Sequence, residues 1–97
     1  MVERLKIIVA EDNLVQRLYL SKLIESLGYE AIPADDGQAA IQELRRSRIQ
    51  IVISDYQMPN MDGIQLTKAV RALDLDHYVY IIMITGSEND ELLFFFF

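Results

Sequence analysis

Hydrophobic and polar positions alternate along this chain in blocks of two kinds. Leu5–Ala10 (LKIIVA), Tyr29–Pro33, Ile51–Ser54 and Val79–Ile84 (VYIIMI) are short apolar runs rich in β-branched residues. Runs of this length bounded by turn-forming residues predict buried strands. Between them the period changes to that of a helix. Leu20, Leu23, Ile24 and Leu27 share one face of a helix predicted over residues 14–27. Ala40, Ile41 and Leu44 do so in a second helix opened by Asp35-Asp36-Gly37. Leu66, Val70 and Leu73 do so in a third, over residues 63–73. Asn13 or Asp12 can cap the first helix, and Gly28 suits the position just past its end. Ser87-Glu88-Asn89-Asp90 has the form of a capping box and predicts the start of a fourth helix.

Strands alternating with helices imply βαβ units and a parallel sheet covered on both faces. The strands are apolar on both sides, as such sheets require. No repeat, low-complexity linker or second composition divides the 97 residues, which are expected to form one domain over residues 1–97.

Composition narrows the function. A net charge of −6 argues against a direct nucleic-acid partner and against an anionic membrane surface. There is no cysteine, hence neither a disulfide framework nor a thiolate metal site, which fits a reducing cytoplasm. No apolar run approaches the ~18 residues of a membrane span.

The candidate chemistry lies where the strands stop. The first strand ends in Glu11-Asp12, the third in Asp55 and the fourth in Thr85. In a parallel sheet these ends share one edge, where ligands bind. Clustered carboxylates with oxygen donors nearby favour a hard cation such as Mg²⁺ over zinc. Without a cation they repel, and at least one carboxyl pKa should rise.

These ends carry a set of motifs: Ile8-Val9-Ala10-Glu11-Asp12-Asn13, Ala34-Asp35-Asp36-Gly37, Ser54-Asp55-Tyr56-Gln57-Met58-Pro59-Asn60-Met61-Asp62-Gly63 and Ile84-Thr85-Gly86. In that order they resemble the receiver domain of bacterial response regulators, over about residues 4–93. The resemblance implies a flavodoxin-like doubly wound parallel sheet of order 2-1-3-4, with the family's fifth strand and fifth helix missing. It implies that Asp55 accepts a phosphoryl group from a sensor histidine kinase or phosphotransfer protein. Asp12 would ligate Mg²⁺ directly with Asp55 and the Gln57 backbone carbonyl, and Glu11 would act through a metal-bound water. Thr85 would hydrogen-bond the phosphoryl group and move on activation. Such a module phosphorylates itself and turns over no external substrate, so it is not expected to be an enzyme.

The lysine that the family brings from its fifth strand has no counterpart, since Lys6, Lys22 and Lys68 fall at a strand start or within helices. That favours a second reading, an interaction or oligomerisation module without a working switch. A third, an aspartyl phosphohydrolase of the haloacid-dehalogenase kind, is opposed by Gln57, where that chemistry wants an aspartate. Without a fifth strand the Val79–Ile84 edge is expected to be exposed, and with the Phe94–Phe97 tail it predicts a homo-oligomer. His77 is expected to be a solvated loop residue, and Met58 and Met61 to be packing.

Overall fold

The computed structural model describes residues 3–86 and 92–96, and for Gly86 and 92–96 the backbone alone. Its elements are β1 (Lys6–Ala10), α1 (Leu14–Ser26), β2 (Glu30–Ala34), α2 (Gly37–Arg46), β3 (Ile51–Asp55), α3 (Gly63–Arg71), β4 (Tyr80–Gly86) and β5 (Leu92–Phe96). The parallel strands run β2-β1-β3-β4. This is the flavodoxin-like order expected, and no fifth parallel strand or fifth helix is found among the described residues.

Alternate strand residues face two cores. Ile8, Val52 and Ile81 pack with Ala40, Ile41 and Leu44 of α2 and Leu66 and Val70 of α3. On the other face Ile7 and Val9 pack with Ile24 of α1, with Leu20, Ile51 and Ile53 partly buried beside them. The inward faces of α2 and α3 are those their periodicity predicts, although Leu73 lies just beyond α3 and is partly buried. The α1 face is corrected. Leu23 and Leu27 are 45% and 64% exposed, and Ile24 is the buried residue. Apolar residues surround this helix, with Val15, Leu18 and Tyr19 also exposed, so spacing alone gives no unique inward face. No helix among the described residues is long and apolar enough to cross a membrane.

The end of the chain departs from expectation. Leu92–Phe96 pairs antiparallel with β4, from Ile82 opposite Phe96 to Gly86 opposite Leu92. The anticipated open edge of β4 is therefore occupied over that stretch by residues 92–96, and β5 becomes the outer strand. Leucine and phenylalanine suit a strand, and the unpaired backbone groups of an edge favour whatever strand can reach them. The helix expected from Ser87 falls on residues 87–91, outside the described ones.

His77 is also corrected. Its side chain is 7% exposed. Nε2 donates to the Ile49 carbonyl at 2.9 Å, and Nδ1 faces the Asp76 carboxylate at 2.9 Å. Arg48 reaches the same carboxylate at 2.8 Å. The loop before β4 is thereby tied to the segment entering β3. His77→Ala leaves the Ile49 carbonyl without this donor and should cost about 1–2 kcal/mol of unfolding free energy, measurable by urea denaturation.

Candidate functional site

Strand register assembles the site. Ala10 pairs with Ser54, and Asp55 with Ile84. One residue past the Ala10–Ser54 pair stand Glu11 and Asp55, and Thr85 follows Ile84, so the three lie at the carboxyl edge of neighbouring strands. The Glu11 N–H donates to the Ala34 carbonyl at 3.0 Å, which carries the β1–β2 pairing one step past the strand. Asn13 caps α1, its Oδ1 accepting from the Gln16 N–H at 3.0 Å. The turn between β1 and α1 thus leaves Glu11 and Asp12 at the cleft.

The other wall is the segment after Asp55. The Tyr56 N–H donates to the Ile84 carbonyl at 2.9 Å, and the Gly63 N–H to the Tyr56 carbonyl at 2.8 Å. Asn60 takes φ +69°, a conformation asparagine tolerates better than most residues. Asp62 and Gln65 close a reciprocal capping box at the start of α3. Met58 is buried, as packing requires.

Carboxylate oxygens of Glu11, Asp12 and Asp55 lie within 4.8 Å of one another. Their exposures differ sharply: Glu11 is 3% exposed, Asp55 is half-buried and Asp12 is open. An open cleft of ≈ 710 Å³ adjoins them and is also lined by Tyr56 and Gln57. A second cavity of ≈ 230 Å³ places Thr85 with Glu11, Asp55 and Gln57. All five sequence-predicted site residues therefore border one region. No lysine lines either cavity.

Burial, then the hydrogen bond and the charge of Asp55, push the Glu11 carboxyl from 4.5 up to about 8. The expected pKa rise therefore falls on Glu11. Because the folded state favours the protonated form, the stability Glu11 contributes is full below about pH 4.5 and is lost as pH rises through about 8. In EDTA the melting temperature should fall between pH 5.5 and 8.5, and Glu11→Gln should flatten that fall. Equal pH slopes in the two proteins would contradict the assignment.

The donor set is all oxygen, with neither cysteine nor histidine, and one carboxyl is buried against another. Those features fit a hard divalent cation, whose charge would offset the burial and the neighbouring charge that raise the Glu11 pKa. Sequence reasoning missed Arg17, whose Nη1 donates to the backbone carbonyls of Glu11 (2.8 Å) and Asp12 (3.3 Å). Nothing in the pattern signals a bond that depends on how the turn folds back under its helix.

The family profile described as the Response regulator receiver domain matches residues 7–95. The chain is a response regulator receiver. As a receiver it belongs to two-component signalling. A segment of the sensor histidine kinase RcsC of Escherichia coli K12 is 44% identical over 69 residues, 71% of this chain but 7% of the kinase. The response regulator receiver protein CpdR of Brucella abortus is 36% identical over 81 residues, 84% of this chain and 66% of that protein. The receiver thus spans less than two thirds of either relative. Among solved structures, a response regulator receiver protein from Pseudomonas putida superposes with a TM-score of 0.79 at 30% identity, covering 90% of this chain and 72% of that one.

Proposed function

We propose that this receiver accepts a phosphoryl group on Asp55 from the phosphohistidine of a sensor kinase or phosphotransfer protein in the cytoplasm. The observation that carries the reading is the convergence of Glu11, Asp12 and Asp55 at the carboxyl edge of the sheet, with Thr85 beside them. An Asp55 carboxylate oxygen forms the new bond to phosphorus. The phosphorus–nitrogen bond of the donor breaks, and its electron pair stays on the departing imidazole nitrogen. Asp12, Asp55 and the Gln57 carbonyl would hold Mg²⁺, with Glu11 acting through a water. When bound, that ion supplies positive charge that neutralises the carboxylates and the phosphoryl oxygens.

The chain's own groups do the rest. The strand end fixes Asp55, which is half-buried beside the open cleft. Thr85, which lines the cavity with Asp55, would donate its hydroxyl to a phosphoryl oxygen. The product is the modified receiver itself, so no external metabolite is turned over. Similarity to a segment of a sensor histidine kinase supports a kinase or phosphotransfer protein as donor.

Incubation with acetyl phosphate and Mg²⁺ should give one phosphoryl adduct by intact mass, labile to base and to hydroxylamine, and EDTA should prevent it. Absence of adduct together with absence of Mg²⁺ binding would leave a protein-interaction module.

A further inference from the structure

Arg17 lies in α1, the helix that follows the acidic pair, yet its guanidinium turns back under the preceding turn. Nη1 donates to the Glu11 carbonyl at 2.8 Å and to the Asp12 carbonyl at 3.3 Å. The side chain is only partly exposed. Glu11 is otherwise held through its N–H by the Ala34 carbonyl. Its carboxyl is hydrogen-bonded with Asp55 and accepts a long 3.4 Å bond from the Asn13 N–H. The two carbonyls belong to the consecutive residues whose carboxylates must point into one cleft against their mutual repulsion. A single guanidinium nitrogen bonded to both carbonyls restrains the backbone rotation between those side chains.

We infer that Arg17 is a positioning residue for the acidic cluster: it holds the turn that aims the Glu11 and Asp12 carboxylates at a divalent cation. It touches neither cation nor phosphoryl group. Outer partners that orient metal-binding groups are typically worth about 10–100-fold in metal affinity. Lysine, with a compact head on a shorter side chain, should restore only part of that.

This inference rests on the proposed Mg²⁺ site, and the test separates the two. Mg²⁺ affinity is measured by calorimetry on the full chain and on R17A, R17Q and R17K, with thermal melts in EDTA as the measure of folding. Amide exchange at residues 11–13 in EDTA reads the turn without any metal. We expect wild type to bind, R17A and R17Q to bind about 10–100-fold more weakly, R17K to fall between, and exchange at residues 11–13 to quicken selectively. A merely structural arginine would lower the melting temperature and quicken exchange throughout, without a specific loss of affinity. Wild-type binding with unchanged affinity in folded R17Q overturns the positioning role. Absence of Mg²⁺ binding by the wild type overturns the metal reading itself. In that case unaltered exchange at residues 11–13 in R17Q would also refute the hold on the turn. R17Q retains a hydrogen-bond donor and methylene packing, so a misfolded R17A does not decide the question.

Discussion

Asp55→Asn should abolish the phosphoryl adduct while making the metal-free protein more stable at alkaline pH. The amide is isosteric but cannot serve as the carboxylate nucleophile, so adduct formation falls to background rather than by a partial factor. The stability change follows from the same geometry. Above about pH 8 Glu11 gives up its proton and faces Asp12 and Asp55 as a third negative charge within 4.8 Å. Removing the Asp55 charge relieves that repulsion, so in EDTA at pH 8.5 the variant should melt above the wild type. Added Mg²⁺ should raise the wild-type melting temperature and barely move the variant's, because binding to the native state alone stabilises it. A variant that melts lower in EDTA at that pH would show that the three carboxylates do not oppose one another.

The second large effect is expected at Gly63, eight residues after Asp55. A Cβ there would stand 2.8 Å from the Asp55 backbone carbonyl oxygen and 3.1 Å from Met83 Sδ and Cε. The methionine can move, but a strand-end carbonyl cannot without displacing Asp55. Gly63→Ala should therefore cost about 1–3 kcal/mol in stability. It should also slow adduct formation roughly a hundredfold, since small displacements of a reacting group are costly. Gly37 supplies the comparison. The atoms nearest a Cβ at Gly37 would be those of the Met61 side chain, with Sδ at 2.6 Å. Gly37→Ala should thus affect stability more mildly and leave the rate close to wild type. Equal rate losses in the two variants would mean that the Gly63 contact does not set the position of Asp55.

Much of this arrangement was legible in the residues because strand ends are abrupt. Ile51–Ser54 stops at an aspartate followed by proline and glycine, and LKIIVA stops at Glu11-Asp12, so the parallel order places both on one edge. The buried faces of α2 and α3 were legible because polar residues flank their apolar stripes. In α1 that contrast is absent, and the inward residue is settled only by contact with Ile7 and Val9. Long-range contacts were equally hidden. His77 is buried by Ile49, 28 residues earlier, and β5 forms because the edge of β4 is within its reach. Arg17 and the selective effect on Glu11 depend on the turn's shape and on relative burial, neither of which a linear pattern carries.

The central claim is that one carboxylate, Asp55, takes the phosphoryl group. An acyl phosphate is reduced by borohydride to the alcohol, which converts the modified aspartate to homoserine and marks its position permanently. After reaction with acetyl phosphate and Mg²⁺, borohydride treatment and peptide mass mapping should find homoserine at residue 55 and at no other aspartate. Homoserine at Asp12 or Asp62, or none at residue 55 in a protein that carries the adduct, would contradict the account.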